Sequence, residues 1–416
     1  MGTPAQLPDD VIVEILLCLP SHCIARCRAV CRAWRFAISH PSFERAHAER
    51  PAAVAKITTD LQRYVYGVEG PILLTRRLSR AVALELFRDD FRRALWFATP
   101  WYAFVLGSWD GVVCIERGNW PHRCIDFYVD HYVLWNPLTM ACATVDTPDR
   151  LGHIIAGYAH PETRRFHLVQ VSGETHGDLL ISPTVFRIRR VGDAVWRELP
   201  LPGNISHTAE LCMNTHVPRF VRLHGNLHWL VQPSGSGTLQ LLALDMSREK
   251  FWSIGTPARQ GGLAMARIGL VSGAGKLCIF GVLPSTSTME MWVLNRYSGR
   301  PPGFWQLKES INLITLDRSD LSRTFLVTTE VEVVEGVREG QEIFLVQHAQ
   351  GRIDAYNVRH KAWRMLTVSW NTSTRNVWVV MHRESALDGK VSFGEASQGL
   401  VYWVDNYGQR HFSCLS

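Results

Sequence analysis

The spacing of apolar positions along the chain changes close to residue 50. Before that point apolar residues recur every three or four positions, which predicts amphipathic helices. Three helices are predicted: Pro20 ends the first, the second carries Ile24 and Cys27, and Pro41 ends the third, because proline interrupts a helix. The first predicted helix carries one apolar stripe, made of Val11, Ile12, Ile15, Leu16 and Leu19.

Beyond residue 50 the pattern indicates β-strands. Short runs rich in Val, Ile, Phe, Tyr and Trp are separated by Gly, Pro, Asn and Asp, which is typical of strands joined by turns. The segment Arg80 to Phe97 is ambiguous, since its apolar positions also have a weak helical spacing. Three helices and a long strand-rich region predict a small all-α module followed by a large all-β domain.

A loose internal repeat runs through the strand-rich region. Each unit opens with a short apolar strand after a glycine or polar turn, and most units close with a Trp-containing segment. The openings are Gly111–Ile115, Arg165–Val169, Gly225–Trp229, Gly275–Ile279, Glu342–Leu345 and, in a truncated last unit, Gly399–Trp403. The period of roughly fifty to seventy residues is close to that of a kelch blade.

The repeat predicts a six-unit β-propeller-like ring, and a β-sandwich or open barrel is the competing interpretation. Residues 1–50 form the helical module, residues 51–106 a connector with the first strands, and residues 107–416 the β-domain. We expect strands from the connector to complete the ring together with the C-terminal piece.

Composition excludes several classes of protein. Apolar residues make up 46% and charged residues 20% of the 416, which is ordinary for a globular chain and unlike a disordered or collagenous one. A net charge of +6 is too small for this length to imply nucleic acid. No signal peptide or membrane-spanning run is visible, so we expect no membrane partner and a cytoplasmic or nuclear location with reduced thiols.

Sequence motifs of catalytic, phosphate-binding and metal-binding sites are mostly absent. Cys18, Cys23, Cys27 and Cys31 are spaced by four, three and three residues, without the paired C-x-x-C of structural zinc sites. Ser272–Lys276 lacks the first Gly and the final Ser or Thr of a phosphate loop. The eight histidines from His153 to His228 are unevenly scattered. We therefore predict no catalytic residue, no metal site and no cofactor.

The first fifty residues resemble the F-box family. Leu7–Leu16, Leu19–Pro20 and Arg28–Arg35 are similar to its Leu-Pro opening, its second Leu-Pro and its Val-Cys-basic-x-Trp segment. The resemblance implies binding to a Skp-type adaptor and, through it, to the cullin and RING subunits of a ubiquitin ligase. According to the resemblance, nine residues form or support the adaptor contact: Leu7, Pro8, Ile12, Ile15, Leu16, Leu19, Val30, Cys31 and Trp34. Some of these must form the core of the module, and the sequence does not separate the two sets.

The β-domain resembles the F-box-associated domain of plant F-box proteins. Gly107–Ile115 is similar to that family's opening strand, Val133–Thr139 to its Trp-Asn-Pro-x-Thr turn, and Gly225–Trp229 and Met291–Leu294 to its later strands. Tryptophans at equivalent places in the repeat are expected to fill the core between units: Trp135, Trp196, Trp229, Trp252, Trp292, Trp305 and Trp363.

Together the two resemblances imply a substrate receptor of a cullin-based ubiquitin ligase, whose β-domain binds a target protein. Aromatic and arginine residues outside the repeat positions are the target-binding candidates: Trp101, Trp109, Trp120, Arg123, Arg219 and Arg300. One alternative is a β-propeller enzyme or small-ligand sensor whose N-terminal helices only pack internally. A second keeps the F-box but uses the adaptor for a scaffolding role.

Overall fold

The structure is a computed structural model. It describes residues 8–19, 21–48, 53–60, 80–88, 91–99, 102–119, 128–136, 139, 141–147, 152–176, 180–203, 210–212, 220–232, 239–257, 267–273, 276–283, 288–297, 304–312, 331–335, 342–347, 352–366, 377–382, 389–398, 400–404 and 410–414.

The N-terminal region is all-α, as the spacing predicts, with one helix more than expected. The helices are α1 (Asp9–Cys18), α2 (Ser21–Cys27), α3 (Arg32–Ile38) and α4 (Pro41–Ala48). Asp9 and Asp10 lie in the first turn of α1, where the positive end of the helix dipole stabilises negative charge. The longest helix that the structure describes has ten residues, and none could cross a membrane.

Of the 27 described strands, 24 form six antiparallel units of four strands, and units 3 and 4 belong to one nine-stranded sheet. Unit 1 is β25 (Val377–His382), β1 (Ala53–Asp60), β2 (Arg80–Arg88) and β3 (Phe91–Thr99). Unit 2 is β4 (Tyr102–Trp109), β5 (Val112–Asn119), β6 (Tyr128–Trp135) and β7 (Cys142–Asp146). Unit 3 is β8 (Gly152–Ala159), β9 (Phe166–His176), β10 (Leu180–Arg190) and β11 (Arg197–Leu199).

The remaining units follow in chain order. Unit 4 is β13 (Val221–Leu223), β14 (Asn226–Gln232), β15 (Gln240–Asp245) and β16 (Lys250–Gly255). Unit 5 is β17 (Arg267–Gly273), β18 (Lys276–Leu283), β19 (Thr288–Asn295) and β20 (Phe304–Asn312). Unit 6 is β21 (Val331–Glu335), β22 (Glu342–Gln347), β23 (Arg352–Asn357) and β24 (Ala362–Leu366). A short strand, β12 (Glu210–Cys212), pairs with both β10 and β14 and so joins units 3 and 4.

Contacts between the first strands of the units arrange them as a ring. β4 contacts β8, β13 contacts β17, β17 contacts β21, and β21 contacts β25. β25 also contacts β4, and β12 joins units 3 and 4, so the circle is closed. In unit 1 the late strand β25 pairs with the early strand β1, so the two ends of the chain are hydrogen-bonded within one sheet. The ring confirms the predicted propeller-like fold.

One segment that the sequence left ambiguous forms strands, and one prediction is wrong. The ambiguous segment Arg80 to Phe97 forms β2 and most of β3, because each strand finds a paired neighbour in unit 1. The truncated last unit does not complete the ring. It forms a separate hairpin of β26 (Leu400–Val404) and β27 (Arg410–Cys414), and the strand that completes unit 1 is β25.

Turns at the outer hairpins are closed by a carboxylate or amide side chain. An Asp245 oxygen accepts hydrogen bonds from the backbone N–H groups of Ser247 and Arg248, each at 2.9 Å. Asn357 accepts likewise from Arg359 and His360, at 3.0 and 2.8 Å. Such side chains satisfy backbone donors that a tight turn leaves unpaired. The same pair of side-chain-to-backbone hydrogen bonds occurs in units 4 and 6, which explains why the third strand of each unit ends in Asp or Asn.

The apolar core lies between neighbouring units. One cluster joins units 3 and 4 around Trp229, and another joins units 2 and 3 around Phe166. Trp135 and Trp229 are fully buried, and Trp196, Trp292 and Trp305 pack against these inter-unit clusters. For these five tryptophans the structure confirms the predicted core role, because large flat rings bury the most apolar area where two sheets face each other.

A C-terminal segment inserts between units 2 and 3. It comprises α5 (Gly389–Phe393) and a short 3-10 helix (Gly394–Ala396). Phe393 is fully buried and meets the ring of Phe166 edge to face at 6.2 Å. Gln398 exchanges backbone hydrogen bonds with Cys142, the first residue of β7, at 2.8 and 3.3 Å. The segment therefore fastens the C-terminal region to the ring.

Candidate functional site

The helical module has its own small core. Leu16 of α1, Ile24 of α2, Ile38 of α3 and Phe43 of α4 are buried together. His47 lies under the end of α1, with Nε2 3.0 Å from the carbonyl oxygen of Leu19. Four short helices are marginal alone, and this shared core is what holds their outer faces in fixed positions.

The structure separates the nine predicted adaptor residues into two groups. Leu16 is buried in the core, and Ile12, Leu19 and Trp34 pack against it. Pro8, Ile15, Val30 and Cys31 are exposed, and Leu7 lies outside the described residues. Cys31 also has a structural role, because its Sγ accepts a hydrogen bond from the backbone N–H of Trp34 at the start of α3, at 3.4 Å. The first group can support a contact only by holding the second in place.

One exposed apolar stripe runs along α1. Val11 is 38% and Ile15 is 47% exposed, and Pro8 and Cys18 are exposed at the same helical spacing. Residues spaced by three or four lie on one face of a helix. We call these four residues the α1 stripe. Val11 belongs to the predicted apolar stripe but was not among the predicted adaptor residues.

Two further apolar side chains are exposed beyond α1. Val30, in the turn before α3, is 63% exposed, and Phe36 on α3 is 76% exposed. Phe36 was also missed, since a single aromatic residue in a helical pattern is more often part of a core. Large apolar groups left in water within so small a module are the usual mark of a surface that binds a protein.

The module lies at the end of the ring where β1 begins and β25 ends. Ala53 at the start of β1 pairs with His382 at the end of β25, and only residues 49–52 separate β1 from α4. Burial, and then the nearby Arg28 of the module, lower the pKa of Arg164 in the turn between β8 and β9. Arg28 of the module therefore lies near this turn, while the α1 stripe is exposed.

Most target-binding candidates lie outside the described residues: Trp101, Trp120, Arg123, Arg219 and Arg300. Trp109 is described, and it is half-buried at the end of β4. Its ring lies 5.9 Å from Phe220 and covers Gly157, where a Cβ would come within 2.5 Å of the indole. The close approach requires glycine at that position, and Trp109 therefore packs units 2, 3 and 4 together.

The neighbouring residue Asp110 strengthens the same junction. One of its carboxylate oxygens accepts a hydrogen bond from the backbone N–H of Ala159 at 2.8 Å, and the other pairs with Arg222. Asp110 belongs to the first turn of unit 2, whereas Ala159 and Arg222 belong to units 3 and 4. Three units are thus joined through one side chain.

The buried histidine His228 has a structural role. His228 is fully buried, with Nδ1 3.0 Å from the carbonyl oxygen of Val221 and Nε2 2.5 Å from the hydroxyl of Tyr297. Burial is the main cause that lowers its pKa to about 4. A neutral imidazole with both nitrogens engaged joins units 4 and 5, and it has no nitrogen left for a ligand.

The cysteines are spread over different roles. Among the described residues no group of His, Cys, Asp and Glu has the geometry of a metal site. Cys18, Cys23, Cys27, Cys31, Cys114 and Cys278 are free. Cys142 is disulfide-bonded, so the expectation of reduced thiols is wrong at this position.

Comparison with known proteins identifies the N-terminal module. Residues 4–46 match the F-box-like family model. An F-box/kelch-repeat protein of Arabidopsis thaliana is 23% identical over 269 residues, which cover 62% of this chain and 67% of that protein. A second Arabidopsis thaliana protein described by the same name is 24% identical over 294 residues, covering 70% and 73%. The chain therefore has an F-box-like domain at its N-terminus and is similar to plant F-box proteins with kelch repeats.

Among solved structures, a chain of a nidogen/laminin complex matches 79% of this chain and 97% of its own length. The TM-score is 0.40 and the sequence identity 11%. We draw nothing about function from that similarity.

Proposed function

We propose that this chain, with its F-box-like module, is the substrate-recognition subunit of a ubiquitin ligase of the Skp–cullin–F-box type. The module binds a Skp-type adaptor, which connects it to the cullin and RING subunits, and the β-domain binds the target protein. The observation that carries the proposal is the exposure of the α1 stripe, Val30 and Phe36 in a module whose core residues Leu16, Ile24, Ile38 and Phe43 are buried.

Exposure favours a partner over internal packing. If the helices only covered the β-domain, Val11, Ile15 and Val30 would lie against the ring. Instead the ring approaches Arg28, and those three side chains are at least a third exposed. Covering them with a partner removes apolar surface from water, at about 25 cal/mol per Å².

In this proposal catalysis is by proximity. The ligase holds a target lysine close to a thioester formed on another protein, so that the transfer becomes effectively intramolecular. The chain contributes binding and orientation and no catalytic residue of its own.

Target binding is assigned to the end of the ring that faces away from the module. In the sequence, Trp101 falls between β3 and β4 and Trp120 directly follows β5, and both lie outside the described residues. Neighbouring strands in a unit run in opposite directions. These strand ends therefore lie at the end of the ring opposite to the one where β1 begins. A target bound there is separated from the adaptor by the whole height of the ring.

The test is co-purification of the full chain with a Skp-type adaptor, using Ile15→Asp as the disrupting variant. We expect a one-to-one complex for the native chain and loss of binding by at least about 100-fold for Ile15→Asp, because a charge would then be buried in an apolar interface. Leu307→Asp is the matched control, since Leu307 on β20 is similarly exposed, at 43%. A native chain that binds no Skp-type adaptor would refute the proposal.

A further inference from the structure

The disulfide bond at Cys142 has a partner that chain length and strand register identify. The chain has ten cysteines, of which six are free. Cys142, the first residue of β7, is disulfide-bonded and fully buried. Three cysteines remain as its partner, namely Cys124, Cys212 and Cys414.

Cys124 is too far from Cys142 along the strands of unit 2. Cys142 pairs with Trp135 at the end of β6, whereas β6 begins at Tyr128. The seven residue steps between the two ends of β6 span about 23 Å. Cys124 precedes Tyr128 by four residues, which reach at most about 14 Å. The two Cα atoms of a disulfide are at most about 7 Å apart, so this pairing would leave a gap.

Cys212 lies at the other end of the ring. It pairs with Leu180, where β10 begins. β6 and β10 are the third strands of units 2 and 3, and in a ring of equivalent units they run in the same direction along the axis. Cys142 lies where β6 ends, so the height of the ring separates it from Cys212. A disulfide cannot span that distance.

Cys414 is placed beside Cys142 by two registers. Gln398 exchanges backbone hydrogen bonds with Cys142, at 2.8 and 3.3 Å. Two residues further on, Leu400 at the start of β26 pairs with Cys414 at the end of β27. β27 also contacts β7, the strand that Cys142 begins. Backbone pairing therefore brings Cys414 into the neighbourhood of Cys142.

We propose that Cys142 and Cys414 form a disulfide bond that fastens the C-terminal hairpin, β26 and β27, across the outer edges of units 1 and 2. β27 contacts both β3 and β7, which are the edge strands of those units. An edge strand left uncovered offers unpaired backbone groups to other chains. Most of the β-domain lies within the loop that the bond closes, and a bond that closes a long loop strongly restricts the unfolded chain. The inference goes beyond the proposed function and does not depend on it.

Formation of the bond is a two-electron oxidation of two thiols. A disulfide compound such as oxidised glutathione accepts the two electrons and two protons, and it is reduced to two thiols by exchange through a mixed disulfide. Because Cys142 is fully buried, thiolates have little access to its sulfur. We therefore expect the bond, once formed, to exchange slowly in the folded protein.

The first test maps the bond in the full native chain. The protein is equilibrated with mixtures of oxidised and reduced glutathione, its free thiols are blocked with N-ethylmaleimide in denaturant, and it is digested with trypsin without reduction. Cleavage after arginine releases peptide 124–150, which carries Cys124 and Cys142, and peptide 411–416, which carries Cys414.

Tandem mass spectrometry should find these two peptides joined through Cys142, with Cys124 blocked by the maleimide. A bond from Cys142 to Cys124 or to Cys212 would overturn the inference. Blocked Cys142 in every glutathione mixture would overturn it as well.

The second test measures whether the bond fastens the hairpin. Cys414→Ser should make the amides of β26 and β27 exchange hydrogen for deuterium at least about 10-fold faster than in the native chain, because the tether is lost. Cys23→Ser is the matched control, since Cys23 on α2 is a free cysteine, and its hairpin should exchange at the native rate. Native exchange in Cys414→Ser would overturn the fastening role. If that variant fails to fold, the peptide map of the native chain still decides whether the bond exists.

Discussion

Replacing Phe393 by alanine should lower the free energy of unfolding by about 3–5 kcal/mol. The side chain is fully buried between units 2 and 3, in one cluster with Val112, Leu134 and Phe166. Removing the ring leaves a cavity between two sheets, which cannot move together without breaking the backbone hydrogen bonds between Cys142 and Gln398. Urea unfolding followed by tryptophan fluorescence measures the change.

The matched control for this prediction is Phe304→Ala. Phe304 is 57% exposed on β20, and its truncation should change stability by less than about 0.5 kcal/mol. Two variants with the same chemical change then differ only in burial. A loss below about 1 kcal/mol for Phe393→Ala would mean that the C-terminal segment does not stabilise the junction of units 2 and 3.

Replacing Glu116 by glutamine should stabilise the protein above neutral pH, by about 3 kcal/mol at about pH 8. Glu116 on β5 is 9% exposed, and burial raises the pKa of its carboxyl group to about 7. Tyr132 on β6 pairs with Glu116 across the sheet, and Cys114 lies two residues before Glu116 on β5. Burial is the main cause that raises their pKa values too, with a smaller contribution from Glu116.

The sign follows from the two states of the carboxyl group. Its pKa is higher in the folded chain than in the unfolded one, so the native chain has full stability below about pH 4 and loses stability as the pH rises through about 7. Glutamine cannot ionise and removes this loss. The difference in unfolding free energy between the two proteins should therefore grow from near zero at about pH 4 to its full value at about pH 8.

Glu162→Gln is the control for the pH series, because Glu162 is exposed in the turn after β8. Its unfolding free energy should follow that of the native chain throughout. A constant difference between Glu116→Gln and the native chain at all pH values would show that folding does not shift the pKa of the Glu116 carboxyl group.

The helical module shows what periodicity can and cannot predict. Apolar spacing on α1 predicted the helix correctly, but the predicted apolar stripe combines exposed and buried residues. The same spacing marks both Ile15 and Leu16, of which one is 47% exposed and the other is buried. Adjacent residues on a helix differ by about 100° in direction. The positions of α3 and α4 decide which of the two side chains is buried and which remains exposed.

The ring shows a different limit. Val, Ile, Phe and Trp between turn residues predicted strands, and the repeat predicted six units. The closing strand was missed, because its partner β1 is more than three hundred residues away in the sequence and pairing between distant strands leaves no local pattern. The C-terminal hairpin has the same strand composition as β25, so composition could not distinguish them.

The sequence by itself determined the all-α module, the strand-rich repeat and the resemblance to F-box proteins, since local spacing and turn residues depend only on neighbours along the chain. The tertiary structure decided which apolar residues remain in water, how the ring closes, and that Trp109 and Phe393 pack between units. Those outcomes depend on which surfaces meet after folding. Burial of a side chain is a property of its surroundings, and the surroundings come from distant parts of the chain.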